Sequence, residues 1–172
     1  AMASIPYTPP VLMALARDLA AGWLRRCGRS IKCIVSDCDH TLWGGLVGEL
    51  GATEVALGDT FPGSAFKDFQ RVLLHYHHQG VMLALNTHNN PEDVQAVLRD
   101  HPHQVLRPEH FLSQHVHWED KADHLQQIAQ ELNIGLDSLV FADDNPAERE
   151  IMRQFVPEVD VVALPADPCG FA

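Results

Sequence analysis

The residues of this sequence that could do chemistry are a small set of acids, one lysine, and a few hydroxyl and amide side chains. Asp37 and Asp39 stand one residue apart, with Thr41 close behind them, and a second acidic pair, Asp143 and Asp144, comes late in the chain. Carboxylates, water and phosphate oxygens together are the ligands that Mg²⁺ prefers. A carboxylate left free beside such an ion can act as a nucleophile toward phosphorus and form an aspartyl-phosphate.

Short apolar runs predict the elements that position these side chains. Predicted buried strands cover 31–35, 81–85, 139–142 and 159–164. Predicted amphipathic helices cover 11–26, 65–79, 91–99, 119–133 and 146–155. Continuously apolar strands that alternate with helices are typical of a parallel sheet covered on both faces. The predicted fold class is therefore α/β, a Rossmannoid three-layer sandwich with a mainly parallel sheet.

In such sheets, ligands bind beyond the carboxyl ends of the strands, and polar residues follow three of the predicted strands. In strand order, these residues are Asp37, Asp39 and Thr41, then Asn86, Thr87, His88 and Asn89, and finally Asp143, Asp144 and Asn145. Lys121 opens the helix between the second and the third of these three strands. The pattern predicts one Mg²⁺-binding site at the end of the sheet.

Composition limits the classes of partner. The chain has 172 residues, with 23 Asp and Glu against 12 Lys and Arg, and a formal net charge of −11. This length suits one domain. The acidic balance argues against nucleic acid and against anionic membrane surfaces, both of which are bound through clustered Lys and Arg. It does not exclude an anionic substrate, because a divalent metal reverses the sign of a local site.

Other signals indicate compartment and organisation. The four cysteines form no CxxC pair, and we find no signal peptide and no run of about 18 apolar residues, so we expect a cytoplasmic protein with no membrane span. We expect a tag remnant and tail over 1–10, an N-terminal helix over 11–29, a catalytic domain over 30–165, and a C-terminal tail over 166–172. The glycine-rich segment 44–63 is too short for a helical cap domain and is predicted to form a small flap.

Four motifs resemble those of the haloacid-dehalogenase superfamily of phosphotransferases. The run 37–41 matches its DxDxT signature, and Thr87, Lys121 and the pair at 143–144 match its second, third and fourth motifs. The sequence segments around these motifs resemble the FkbH-like branch of that superfamily. They are Asp39-His40-Thr41-Leu42-Trp43-Gly44-Gly45, Val47-Gly48-Glu49, Trp118-Glu119-Asp120-Lys121 and Asp143-Asp144-Asn145-Pro146-Ala147-Glu148-Arg149-Glu150.

The FkbH-like resemblance implies a role in polyketide biosynthesis. Members of this branch dephosphorylate 1,3-bisphosphoglycerate and load the glyceryl unit onto the phosphopantetheine thiol of an acyl carrier protein. The runner-up is a phosphatase of similar mechanism that acts on another small phosphorylated metabolite or a carrier-bound substrate. A third alternative is a non-catalytic domain that docks carrier proteins, and the intact acids and lysine speak against it.

The resemblance also implies a role for each residue. Asp37 would be the nucleophile and Asp39 the general acid/base, while Thr87 and Lys121 would hold the phosphoryl oxygens. Mg²⁺ would bind Asp37, the backbone carbonyl of Asp39, and Asp143, with support from Asp144. The candidates for substrate contact are Thr41, Trp43, His88 and Asn89, although Trp43 and Trp118 can also be interpreted as loop anchors packed beside the site.

Three positions depart from the family pattern. His40 stands where relatives often have Asn or Gly, His88 stands where a lysine is usual, and Asn86 stands where some members carry Cys. An acyl-carrying thiol would therefore have to be Cys38, which could be partly ionised beside a metal and Lys121. The alternative is that Cys38 is a small core residue, which is the commoner role of a free cysteine.

Two further groups have plainer interpretations. His75, His77, His78, His101, His103, His110, His115 and His117 invite a zinc hypothesis, but their spacing lacks a fixed ligand pattern. We interpret them as solvated surface histidines. Glu148, Arg149 and Glu150 are interpreted as the solvated start of a helix.

Overall fold

The computed structural model describes residues 31–164 of the chain. The predicted helix over 11–26, the predicted termini over 1–10, 11–29 and 166–172, and two of the cysteines, Cys27 and Cys169, lie outside the described residues. The fold below is therefore that of the predicted catalytic domain.

Five strands and five α-helices make up this part of the chain. The strands are β1 (Cys33–Ser36), β2 (Met82–Thr87), β3 (Phe111–Val116), β4 (Leu139–Asp143) and β5 (Asp160–Ala163). The helices are α1 (Val47–Leu50), α2 (Gly63–His78), α3 (Pro91–Asp100), α4 (Lys121–Glu131) and α5 (Pro146–Phe155). Short 3₁₀ turns over Pro108–His110 and Leu136–Ser138 lead into β3 and β4. Within residues 31–164, no helix combines the length and the apolar character that crossing a membrane requires.

The strands form one sheet in the order β3-β2-β1-β4-β5, and each pair is parallel. β1 lies at the centre, where Val35 is in register with Ala84 of β2 and with Phe141 of β4. Parallel strands need crossover connections, and here the helices supply them. The carboxyl ends of β1, β2 and β4, which carry the candidate site residues, therefore meet side by side.

The sheet divides the core into two layers because successive side chains of a strand point to opposite faces. Ile34 and Leu83 pack with residues of α2 and α3 on one face. Val35 and Phe141 pack with residues of α4 and α5 on the other. The three-layer α/β architecture predicted from the alternation of strands and helices is confirmed.

The strand β3 was not predicted. Its sequence alternates buried Phe111, Ser113 and His115 with the exposed Leu112 and the half-buried Gln114, so it lacks the continuous apolar run of the central strands. Such alternation is expected of an edge strand, which β3 is in this sheet. The prediction missed this strand because a serine, a glutamine and a histidine gave the segment the appearance of a polar loop.

Segment 44–63 forms a small flap, as predicted, and it contains the single helical turn α1. Gly44 pairs with Ala56 in an antiparallel bridge, and Val47, Val55 and Leu57 are buried against the core. Gly45 adopts φ +94°, a left-handed conformation that favours glycine. The flap is therefore anchored at its base beside the end of β1.

Candidate active site

The centre of the site is Asp37, the first residue after β1. Its backbone N–H donates to the carbonyl oxygen of Ala142 (2.9 Å), which extends the β1–β4 pairing by one residue. Asp143 ends β4 at the same level. Asp37 is 7% exposed and Asp143 is fully buried. The sheet thus holds two carboxylates at adjacent strand ends, largely shielded from water.

Lys121 places its ammonium between these two carboxylates. Its Nζ lies 2.8 Å from Asp143 Oδ2 and 3.2 Å from Asp37 Oδ1. Burial alone would lower the pKa of Lys121, but the two carboxylates outweigh it and raise that pKa above its ordinary value. The lysine is therefore a permanent cation at the floor of the site.

A single ammonium does not neutralise the acids around it. Asp37, Asp143 and Asp144 each have a carboxylate oxygen within 4.8 Å of the others. Burial raises the pKa of all three groups, and mutual repulsion adds to this at Asp143, which faces Asp37, and at Asp144, which faces Asp143. Asp37 Oδ1 is buried and has no hydrogen-bond partner among the described residues. An excess of clustered negative charge suits a hard divalent cation, which binds oxygen ligands.

Asp39 is oriented by three donors. Its Oδ1 accepts hydrogen bonds from Trp43 Nε1 (2.7 Å) and from the backbone N–H of Val47 (3.1 Å), and its Oδ2 accepts one from Asn89 Nδ2 (3.0 Å). Val47 begins α1, so the flap itself helps to fix this carboxylate. Asp39 lies in the wall of the same cleft as Asp37. The two aspartates of the DxDxT motif therefore lie in one cleft. Asp37 lies among charged groups, and Asp39 accepts hydrogen bonds from neutral donors.

The end of β2 contributes Thr87 and Asn89 to the cleft. Thr87 is 1% exposed, and its Oγ1 accepts from Asn89 Nδ2 (3.3 Å). A hydrogen bond from the Thr87 hydroxyl is one of the influences that lower the pKa of Asp37 against the effect of burial. Both residues line the cleft. The predicted positions of Asp37, Asp39, Thr87, Asn89 and Lys121 thus meet in one place.

Two predicted substrate contacts are wrong, because Thr41 and Trp43 are fully buried. The Thr41 hydroxyl donates to Asp144 Oδ1 at 3.4 Å, and the Trp43 indole donates to Asp39. Neither residue lines the cleft. Both side chains instead position an acid of the site, which agrees with the alternative interpretation of Trp43 as an anchor.

His40 explains one departure from the family pattern. Its φ is +55°, in the left-handed region where Gly and Asn are the easiest residues to place. Histidine is also enriched there among the other residues. The Nδ1 of His40 accepts a hydrogen bond from the N–H of Gly45 (3.4 Å), which links the turn to the flap.

Cys38 lies in the core and does not line the cleft that contains the two aspartates flanking it. The side chain is fully buried and belongs to the core layer that contains Leu42 and Leu85. Burial, followed by the charges of Asp37 and Asp39, raises the pKa of the thiol well above its ordinary value. The expectation of a partly ionised thiol is therefore wrong, and the packing role of Cys38 is the one that its position supports.

An aromatic pair stands at the mouth of the cleft. His88 lines the cleft, and its ring stacks on Trp118 with centroids 6.1 Å apart and planes at 14°. Trp118 is 72% exposed, so its interpretation as a packed anchor is wrong. The ring of His88 also bonds the carbonyl oxygen of Glu119 (2.7 Å) and lies 3.8 Å from the carboxylate of Glu148.

Of the three residues predicted to form the solvated start of α5, Glu150 is exposed, but Glu148 and Arg149 are only half-exposed and have other contacts. Glu148 lines the cleft. Arg149 directs its guanidinium at the carbonyl oxygens of Asp143 (2.8 Å) and Asp144, which immobilises the backbone that carries both acids. Arg149 follows the two acids by six and five residues, and the charge pattern alone could not show that it contacts their backbone.

Asn86 is a supporting residue that sequence reasoning left without a role. It is fully buried, its Nδ2 donates to the carbonyl oxygen of Lys121 (2.8 Å), and its Oδ1 lies 3.1 Å from Nδ1 of His124. Asn86, at the end of β2, thereby holds the first turn of α4, which begins at Lys121.

The interpretation of all the histidines as solvated is wrong for His101 and His115, which are 3% and 7% exposed.

Comparisons with known proteins agree with this geometry. The N-terminal part of a Bacteroides fragilis protein, which contains a phosphatase domain and was crystallised with Mg, matches with a TM-score of 0.81 and 35% identity. The match covers 94% of this chain and 43% of that one, so the chain spans less than half of that protein's length. No family model matches the chain, and no curated protein matches it.

More distant structures share the fold alone. A haloacid-dehalogenase-family enzyme from Bacteroides thetaiotaomicron, an Asp-to-Ala mutant complexed with magnesium and inorganic phosphate, matches with a TM-score of 0.54 and 12% identity over 80% of this chain and 95% of that one. A haloacid-dehalogenase-like hydrolase from Bacteroides fragilis matches with a TM-score of 0.55 and 11% identity over 80% of this chain and 89% of that one. The chain therefore has the α/β fold of haloacid-dehalogenase enzymes, and the predicted fold class is confirmed.

Proposed function

We propose that this chain is a Mg²⁺-dependent phosphatase domain of the haloacid-dehalogenase type. The observation that carries the proposal is the meeting of Asp37, Asp143, Asp144 and Lys121 in one buried cluster at the ends of β1 and β4 and the start of α4. Phosphoryl transfer needs in-line positioning and neutralisation of spread negative charge. A cluster of three acids and a fixed cation, open to a cleft, can provide both.

Asp37 is proposed as the nucleophile. A carboxylate oxygen of Asp37 attacks phosphorus, a new O–P bond forms, and the bond from phosphorus to the leaving-group oxygen breaks. Asp37 Oδ1 lies 3.2 Å from the ammonium of Lys121, which holds the carboxylate in place at the edge of the cleft. Its position between β4 and Lys121 fixes the direction from which the substrate must approach.

Asp39 is proposed as the general acid and base. It gives a proton to the departing oxygen, then takes one from the water that attacks the aspartyl-phosphate, and the O–P bond to Asp37 breaks as inorganic phosphate leaves. The donors from Trp43, Val47 and Asn89 orient its carboxylate without placing a cation beside it.

The remaining roles concern charge. Asp37, Asp143 and Asp144 would hold Mg²⁺, with the backbone carbonyl of Asp39. When bound, the ion would neutralise the charge that develops on the phosphoryl oxygens. Thr87 and Lys121 would bind two of these oxygens from the floor of the cleft. Lys121 keeps its proton because two carboxylates raise its pKa, so it acts as a cation and not as a base.

For the substrate, we propose 1,3-bisphosphoglycerate, with the glyceryl unit passed to an acyl carrier protein in polyketide biosynthesis. The FkbH-like sequence segments around the motifs support this choice. The cleft has a volume of about 320 Å³, near the lower end for small-molecule sites, and its mouth carries the exposed Leu46. A compact phosphorylated group fits inside, while a carrier's arm would reach it from the open side.

The runner-up is a phosphatase that acts on another small phosphorylated metabolite or a carrier-bound substrate. The burial of Cys38 favours it, because a fully buried thiol with a raised pKa is a poor acyl acceptor. In the first proposal, Asp37 would remove the phosphate ester at C3 and leave the acyl phosphate at C1 intact. The carrier's own thiol would then attack the acyl carbon, the C1 phosphate would leave, and no thioester would form on this chain.

The test is release of inorganic phosphate in the presence of Mg²⁺ by the chain and by Asp37→Asn. The variant exchanges a carboxylate for its near-isostere, so we expect it to fold and to release no phosphate. Asp123→Asn, an exposed position in the first turn of α4, is the matched control and should keep full activity. Undiminished release by Asp37→Asn would refute the nucleophile assignment.

A second arm separates the substrates. Incubation with 1,3-bisphosphoglycerate, Mg²⁺ and candidate carrier proteins, read by intact mass, should show a carrier heavier by one glyceryl unit. Phosphate release with no mass gain on any carrier would leave the plain phosphatase as the function.

A further inference from the structure

A second cluster of metal-ligating side chains lies near the start of α4, and none of its histidines lines the acidic cleft. His115 is the last residue but one of the edge strand β3, His117 follows the strand, and His124 lies one turn into α4. The ring centroids of His115 and His124 are 5.0 Å apart, and those of His117 and His124 are 5.6 Å apart. This cluster, with the carboxylate of Glu119, has no part in the proposed phosphatase mechanism.

His124 is the fixed member of this cluster, and its hydrogen bonding assigns its tautomer. Asn86 Nδ2 donates to the carbonyl oxygen of Lys121, so Asn86 Oδ1 is the acceptor that faces the ring of His124. His124 Nδ1 must then carry the proton, and Nε2 presents a lone pair. That Nε2 is buried and has no hydrogen-bond partner among the described residues. The whole side chain is only 1% exposed.

A neutral imidazole with one nitrogen bonded to a backing oxygen and the other free is the form in which histidine binds a metal. The pKa of His124 is lowered, first by burial and then by His115 and His117, which keeps the ring neutral. Burying an unpaired lone pair costs free energy unless something binds it. The free Nε2 therefore points to a ligand.

The neighbours of Nε2 have the right chemistry for that ligand to be a metal ion, and the exposed ones would have to turn to close the ligand set around it. Glu119 Oε2 lies 3.7 Å away. With metal–nitrogen bonds of about 2.0–2.1 Å, imidazoles that share a tetrahedral ion have centroids roughly 5 Å apart, close to the spacings seen here. His117 and Glu119 are exposed, so their side chains can turn toward the ion at little cost.

We propose that His124, His117 and Glu119 form a binding site for a divalent transition metal of the Zn²⁺ class, with His115 beside them. Imidazole and carboxylate ligands suit such ions, whereas Mg²⁺ prefers oxygen ligands alone. Three protein ligands leave a fourth position for water or for His115, whose Nε2 contacts Glu131 Oε1 at 3.1 Å. The bound ion links the end of β3 to α4 across the loop that carries Trp118.

The test is binding of Zn²⁺ or Co²⁺ to the full chain, without a polyhistidine tag and in excess Mg²⁺ to occupy the acidic cluster. We expect one ion per chain and, with Co²⁺, the intense visible absorption of a tetrahedral site. His117→Ala and Glu119→Gln change exposed residues and should fold. Each should weaken binding by at least about tenfold, the lower end of what losing even an outer partner of a metal site costs.

Matched variants decide the outcome. His124→Ala should weaken binding at least as much as His117→Ala, and circular dichroism checks that it folds. His75→Ala, an exposed histidine on α2, should leave binding unchanged. Equal losses in His75→Ala and His117→Ala, or unchanged affinity in His117→Ala and Glu119→Gln, would overturn the site. Because phosphate release is not the readout, the proposed phosphatase function can fail or stand independently.

Discussion

Two clusters of ionisable side chains lie near the first turn of α4, and they are built differently. The acidic cluster takes its members from the ends of central strands, where the backbone is paired on both sides, and its carboxylate oxygens already lie within 4.8 Å of one another. The histidine cluster takes His115 and His117 from the edge strand and the loop after it. His115 and His124 are each held by a hydrogen bond, whereas His117 is exposed. Asn86 contacts both, through Lys121 and through His124.

The difference shows what positions a charged group. Central strands gather like charges at a high electrostatic cost, which Lys121 offsets only in part, so the acidic cluster is assembled but strained by repulsion. The edge strand and the loop after it place histidine rings near one another, and histidine rings repel only when they are charged. We therefore expect the acidic cluster to depend on its single cation and the histidine cluster to depend on pH.

The largest effect should come from Lys121→Met, which removes that cation while keeping the length of the side chain. Asp37 and Asp143 are then left buried without their partner, so the free energy of unfolding should fall by about 3 kcal/mol or more. Phosphate release should be lost as well. Chemical denaturation of the metal-free chain measures the first effect.

Lys67→Met is the matched control, because Lys67 pairs with Asp59 at the surface, where the side chain of Asp59 is 71% exposed. Water screens such pairs, so the loss of stability should be much smaller. Equal losses in the two variants would show that the acidic cluster does not depend on Lys121.

An intermediate effect should follow from Trp43→Phe, which removes the indole donor to Asp39 and keeps an aromatic ring in the core. A hydrogen bond to a charged group contributes about 1.5–3 kcal/mol, so kcat should fall by about 10- to 100-fold. Trp118→Phe changes the exposed indole at the cleft mouth and should leave kcat close to that of the parent chain. Steady-state kinetics that show equal kcat values for the two variants would refute a positioning role for Trp43.

The smallest effect should be a loss of stability in acid that arises at the histidine cluster. The pKa of His124 is lowered in the folded chain, by burial first, so the unfolded chain binds the proton more tightly. Stability from this neutral ring is present above the unfolded pKa of about 6.5 and is lost as pH falls through the folded value. His101 and His110, whose pKa values burial also lowers, add to the same trend.

Denaturation between pH 7.5 and about 5, in His124→Leu and in the parent chain, isolates this contribution. The variant loses the bond to Asn86 and should be less stable throughout, but its stability should fall less steeply with acid. An unchanged slope would place the pH dependence elsewhere, at His101 or His110.

The fold and the centre of the site follow from short-range signals in the sequence. Apolar runs before Asp37, before Thr87 and before Asp143 predict central strands, and the parallel arrangement then brings their ends together. Pro146 marks the start of α5 because proline suits the first turn of a helix, and the helix does begin there. These features could be predicted because each depends on a few adjacent residues and one topological rule.

The supporting contacts could not be predicted in this way. The bond from Thr41 to Asp144 and the bond from Asn86 to Lys121 join residues 103 and 35 positions apart. Whether Trp43 faces the cleft or the core depends on the path of the flap, and β3 was missed because its polar residues suit an edge position. Side-chain direction and edge placement are tertiary properties, so a pattern of residue types leaves them open.

The central claim is that Asp37 carries the phosphoryl group, and trapping that intermediate tests it most directly. Asp39→Asn should slow hydrolysis of the aspartyl-phosphate, and reduction with borohydride followed by peptide mass spectrometry locates the modified carboxyl group. The account predicts modification at Asp37 alone, dependent on Mg²⁺ and absent from a double variant that also carries Asp37→Asn. Modification of another acid, or phosphate release by the parent chain with no trapped carboxyl group in Asp39→Asn, would contradict it.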